Sequence, residues 1–123
     1  MLKEGLEFKS KTTVDNSNTA LALGSGDMNV FATPAMVALM ENAAMKAVSA
    51  FLPEESATVG SLINISHIKP SGLGETIEAT AVLTEIEKRK LTFTVKAADS
   101  QGTIGEGTHI RFIVDRQKFL SKL

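Results

Sequence analysis

From Pro34 to Phe51 nearly every residue is Ala, Met, Val, Leu or Phe, interrupted only by Glu41, Asn42, Lys46 and Ser49. At about 100° per residue, Asn42, Lys46 and Ser49 fall in one narrow polar stripe and the rest of the circumference is apolar. Thr33-Pro34 opens the segment, a threonine able to cap followed by a proline suited to the first helical position, and Pro53 stops it. A helix this apolar must be buried on most of its surface. A chain of 123 residues makes one compact domain, residues 1–123, and a sheet that curls around the helix would supply the cover. A second copy of the chain would close what the sheet leaves open, and the expectation is a homodimer or a higher homo-oligomer.

The remaining segments supply such a sheet. Leu6–Lys9 with Thr12–Val14 reads as a first strand, ending at the turn-like Asp15-Asn16-Ser17-Asn18, and a loop follows through Leu23-Gly24-Ser25-Gly26-Asp27. After the helix the pattern turns to period two in Ser61–Ile68, Thr76–Leu83, Leu91–Ala97 and Thr108–Val114. Glu87–Lys90 and Asp99–Gly102 are the hairpin turns, and Arg116–Leu120 closes the chain as a short helix. The class is therefore α+β with a largely antiparallel sheet.

Composition narrows what such a domain can do. Thirteen basic against fourteen acidic side chains leave a formal charge of -1, too little to grip a phosphate backbone, so nucleic acid is not an expected partner. No apolar run approaches the roughly 20 residues that cross a bilayer, and Met1-Leu2-Lys3-Glu4 does not open a signal peptide, so no membrane is expected and the location is cytoplasmic. The chain has no Cys, Trp or Tyr, which excludes disulfides and thiol nucleophiles. Two distant histidines make a metal site improbable, and no glycine spacing fits a phosphate loop or a dinucleotide fold. Chemistry is left to histidine, carboxylates, hydroxyls and backbone amides.

Three residues stand out. Glu41 shares its side of the helix wheel with Pro34, Val37, Ala38, Ala44, Met45 and Val48. In that company it is either a proton-handling carboxylate or simply the edge of the solvent stripe. His67 alternates with Ile63 and Ile65, so if that face packs on the helix its imidazole projects to the helix side, as a general base or as a structural histidine tied to a carbonyl near Pro70. Thr33 puts a hydroxyl at the positive end of the helix dipole, where developing negative charge is stabilised; the plainer reading is an N-cap. His109 and Arg111 share one face of the last strand, opposite Ile110 and Phe112, and read by default as a solvated face.

The run Val30-Phe31-Ala32-Thr33-Pro34-Ala35-Met36-Val37-Ala38-Leu39-Met40-Glu41-Asn42-Ala43-Ala44, with Val59-Gly60-Ser61-Leu62, Ile65-Ser66-His67 and Gly105-Glu106-Gly107-Thr108-His109-Ile110-Arg111, resembles the hot-dog-fold acyl-CoA thioesterases related to fluoroacetyl-CoA thioesterase. The resemblance implies a curved antiparallel sheet wrapped around one long central helix, paired as dimers. It implies Thr33, Glu41 and His67 as the catalytic hydroxyl, carboxylate and imidazole, and Gly60 and Arg111 as substrate-binding. No metal or separate cofactor is implied, coenzyme A being part of the substrate. Members selective for fluoroacetyl groups carry aromatic residues just before the helix, whereas this chain has Gly24-Ser25-Gly26-Asp27-Met28-Asn29, with only Phe31 nearby. The implied substrate is therefore another acyl-CoA, of short or medium chain. Lys69, Lys88 and Arg89 are possible contacts for its phosphates. A hydratase or dehydratase on acyl thioesters, or a non-catalytic acyl-CoA-binding domain, would use the same frame.

Overall fold

The structure, a computed structural model, describes all residues 1–123. Its elements are β1 (Glu7–Thr13), α1 (Ala20–Leu23), α2 (Thr33–Ser49), β2 (Ser56–His67), β3 (Thr76–Glu87), β4 (Lys90–Asp99), β5 (Gly102–Asp115) and α3 (Arg116–Ser121). One five-stranded sheet runs in the order β1-β3-β4-β5-β2, with every neighbouring pair antiparallel. Register shifts at Gly60/Leu62, Leu83/Glu85 and Ala97/Ala98 add the local bends that let a sheet curve. The α+β class and the single wrapped helix are as the sequence predicts.

Helix α2 lies in the concavity, packed mostly on β1 and β3. Met36, Met40, Ala43, Ala44, Ala47 and Val48 are its buried side, and they meet Ile77, Ala79, Ala81 and Leu83 of β3 and Leu91, Phe93, Val95 and Ala97 of β4 in one core. Small residues on both surfaces let the helix axis approach the sheet closely, and close packing is what makes dispersion contacts add up. Lys46 and Ser49 face solvent, while Asn42 is half-buried and accepts a 2.7 Å hydrogen bond from the Ser10 hydroxyl of β1.

Strand ends depart from the sequence reading where glycine interrupts alternation. β2 begins at Ser56 instead of Ser61, and β5 at Gly102 instead of Thr108. At Gly105 a side chain would lie 2.6 Å from the Met36 sulfur and 2.8 Å from the Ser66 carbonyl, so glycine there permits helix and strand to touch. Helix α1 falls just before the segment read as a loop: Thr19 accepts from the Ala22 amide at 3.1 Å, and Gly24 ends it at φ 75°.

Candidate active site

Thr33 is the first residue of α2, not its cap. Ala32 holds the N-cap position without a side-chain bond, and the Thr33 hydroxyl instead shares a 2.7 Å hydrogen bond with Nδ1 of His67, the last residue of β2. This replaces the capping reading. Ile63 and Ile65 pack on the core as their alternation with His67 predicts. Burial lowers the His67 pKa below 6.5, because a desolvated imidazole resists protonation. Its Nε2 is buried and has no hydrogen-bond partner within the chain. A buried unpaired nitrogen costs about 1–3 kcal/mol, which favours an incoming donor or acceptor at that atom. Thr33 and His67 line a cleft of about 290 Å³ together with Phe31, Ser25, Ile68 and Lys69.

Lys69 is not free in that cleft. Its ammonium donates to Asp99 at 2.7 Å, the Ser71 hydroxyl donates to the same oxygen at 2.8 Å, and the Asp99 side chain keeps only 1% of its surface. The Lys69 hydrogen bond draws the Asp99 pKa from 3.8 down to about 2. A folded-state pKa below the unfolded one stabilises the fold fully above the unfolded value and loses that contribution as pH falls through the folded value. The melting-temperature gap between wild type and Asp99→Asn should therefore narrow between about pH 4 and pH 2; a gap that stays constant would contradict the assignment.

A second group forms two helical turns further along α2. Glu41 Oε2 lies 3.7 Å from Arg111 Nη1 and 3.9 Å from His109 Nε2, and its side chain keeps 40% of its surface. The expectation of a carboxylate among apolar side chains is corrected: the sheet brings a guanidinium and an imidazole to it. His109 and Arg111 are likewise not a solvated face, since they are 0% and 6% exposed while Phe112 on the opposite face is 38% exposed. Arg111 donates through Nε to the Thr58 hydroxyl at 2.8 Å and through Nη2 to the Thr58 carbonyl at 2.9 Å. Burial lowers the pKa of both His109 and Arg111, although a guanidinium remains charged. Gly60 sits against this group, and a side chain on it would lie 2.5 Å from Glu41 Oε2.

Within one chain, then, the predicted residues form two groups: Thr33 with His67, and Glu41 with Gly60 and Arg111. Thr33 and Glu41 are eight positions apart on α2, about 12 Å along its axis. His109 and Arg111 are the residues that the default reading places on the wrong side, and His109 is the one that no sequence argument brings to the site. The glycines at 105 and 107, which share its face at two-residue intervals, were the available signal that this face is crowded.

Comparison with known proteins identifies the family. The family model for fluoroacetyl-CoA-specific thioesterase matches residues 14–117. The fluoroacetyl-CoA thioesterase of Streptantibioticus cattleyicolor is 37% identical over 94 residues, 76% of this chain and 68% of that protein. A solved structure of a fluoroacetyl-CoA thioesterase superposes with a TM-score of 0.92 at 31% identity, over 99% of this chain and 95% of the other. A hot-dog-like protein from Thermanaerovibrio acidaminovorans shares the fold, with a TM-score of 0.89 at 21% identity over 98% of this chain and 90% of its own. With its helix wrapped by one antiparallel sheet and its sequence matched from residue 14 to 117, the chain belongs to the fluoroacetyl-CoA-specific thioesterase family and has the hot-dog fold.

Proposed function

We propose that this chain hydrolyses a short- or medium-chain acyl-CoA to the free acid and coenzyme A, in a site completed by a second copy of itself. The observation that carries the reading is the Thr33–His67 hydrogen bond beside a buried, unpartnered Nε2 in an open cleft. With Nδ1 donating to Thr33 Oγ1, the Nε2 lone pair is left to accept the proton of an attacking water. Attack on the thioester carbonyl forms a tetrahedral oxyanion. The Gly60 N–H and the start of α2 near Thr33 supply the donors, an effect of order 10² to 10³ in rate per donor. Glu41 acts on the same centre, as nucleophile or as the group orienting the water. Coenzyme A leaves as its thiolate, which needs no metal. A relative of this family has been crystallised with fluoroacetate and CoA, and a threonine variant of it with acetyl-CoA, which supports an acyl-CoA as the ligand class. An acyl-CoA substrate also suits the cytoplasm.

The acyl group differs from that of the fluoroacetyl-selective members, because Gly24–Asn29 offers no aromatic lid. Free-thiol release across a panel from acetyl-CoA to decanoyl-CoA should show turnover of short or medium chains without preference for fluoroacetyl-CoA. No turnover of any of them would refute the reading, and hydration of an enoyl-CoA in its place would favour a hydratase.

The free edge of β2 supports dimerisation. This edge strand has twelve residues, and Leu62 on it is 46% exposed. A bare edge of that length invites pairing. Two-fold antiparallel pairing of β2 with its copy runs the His67 end of one strand toward the Gly60 end of the other, uniting the two groups that one chain keeps apart. Light scattering should give at least a dimeric mass. A mixed dimer of His67→Ala and Glu41→Gln chains should regain up to half of wild-type activity, since one of its two sites is then intact; inactive mixed dimers would place the whole site within one chain.

A further inference from the structure

His109 is buried, central and unused by the chemistry above. Its Nδ1 lies 2.8 Å from the Leu62 carbonyl, which can only accept, so Nδ1 carries the proton. Its Nε2 must then accept, and Arg111 Nη1 stands 3.2 Å away as the donor. The Leu62 carbonyl is in place because β2 shifts register between Gly60 and Leu62. With Nε and Nη2 of Arg111 tied to Thr58, the bond to His109 fixes one Nη1 hydrogen and leaves the other for Glu41 Oε2 at 3.7 Å.

We infer that His109 is a positioning residue: a neutral imidazole clamped between the Leu62 carbonyl and Arg111, it holds the guanidinium in the orientation that presents Nη1 to the Glu41 carboxylate. The inference rests on the role proposed above for Glu41. Arg111 on this account orients the carboxylate instead of binding substrate directly. The charged groups facing the imidazole are Arg111 of β5 and Glu41 of α2; β2 adds the Leu62 carbonyl, and β4 the ring of Phe93, 6.1 Å between centroids. A permanent cation against Nε2 disfavours a second proton on the ring.

Kinetics with acetyl-CoA and butyryl-CoA test this in the intact dimer. His109→Leu, which removes the acceptor, should lower kcat by about 10- to 100-fold, the usual scale for groups that orient a reacting residue, with KM within about threefold. His109→Gln returns an acceptor near the Nε2 position and should restore most of the loss. In a Glu41→Gln background the same His109→Leu change should have little further effect, because the carboxylate it orients is gone. Equal losses in both backgrounds, or a change confined to KM, would overturn the inference. Nitrogen-15 NMR of the wild type gives a readout that needs no variant and no turnover: His109 should be in the neutral Nδ1–H tautomer between about pH 7 and pH 8, and an Nε2–H tautomer would overturn it. If wild type hydrolyses no acyl-CoA from acetyl-CoA to decanoyl-CoA, the functional reading fails, while the tautomer still decides whether His109 clamps Arg111.

Discussion

Replacing His67 with alanine should cut kcat by about 10²- to 10⁴-fold and leave KM for acyl-CoA nearly unchanged, the signature of a lost proton acceptor in the transition state. The imidazole is half-buried at the join of β2 and α2, so its removal leaves the core of Met36, Met40 and Phe93 intact and the protein folded. Because burial holds its pKa below 6.5, the base form prevails at neutral pH. In wild type the acid limb of kcat/KM should therefore lie below pH 6.5, and in His67→Ala it should vanish. Thr33→Val keeps the shape at the helix start while removing the 2.7 Å bond that aligns the ring, and should reproduce part of the same loss. Activity within threefold of wild type in His67→Ala would end the case for this residue as the base.

Gly60→Ala is expected to cost about 10² in kcat while the fold survives. The added methyl would sit 2.5 Å from Glu41 Oε2, 3.2 Å from His109 Cε1 and 3.4 Å from Arg111 Nη1. Of these only the Glu41 carboxylate, with 40% of its side chain exposed, has room to swing aside, so the strain is relieved by displacing it. A shift of about 1 Å in a reacting group is enough for a loss near 10². Gly105→Ala makes an informative contrast. There the methyl meets the wholly buried Met36 and the Ser66 backbone, which cannot yield. It should show up as lost stability of about 1–3 kcal/mol by denaturant titration. If Gly60→Ala loses stability as Gly105→Ala does and keeps its rate, the glycine serves packing alone.

The contrast also explains which parts of this molecule were legible in the sequence. Helix α2 and β4 announce themselves because their patterns are unbroken, and so does the first part of β3, where Thr76-Ile77-Glu78-Ala79 alternates and is buried just where it alternates; beyond the register shift at Leu83/Glu85 that strand runs on to Glu87, past the Leu83 end that its period predicts. β2 and β5 were cut short because Gly60, Gly105 and Gly107 carry no hydropathy signal, although each is there for a close approach that only the folded chain reveals. For β5 the period was right and the sign was wrong. His109 and Arg111 turn inward because Thr58, Leu62 and Glu41, all distant in sequence, supply their polar partners. Burial of polar groups is decided by such partners, and one strand's own residues do not encode them. The sequence marks Thr33 and His67 as separate candidates; the hydrogen bond that joins them spans 34 positions.

The alanines between helix and sheet set a ruler for the substrate. Ala43, Ala44 and Ala47 of α2 and Ala79, Ala81 and Ala97 of β3 and β4 are all buried in one core, so the part of the helix–sheet contact that they fill is close-packed and has no room for a hydrocarbon tail. Trimming them further is self-defeating, since glycine in the helix costs about 1 kcal/mol at each position and frees only a methyl's volume. A lineage or a designer seeking longer acyl chains would have to work outside the core, on Ser25, Met28 and their neighbours at the rim of the cleft. That rim can drift among substrates without touching the packing that keeps the domain folded.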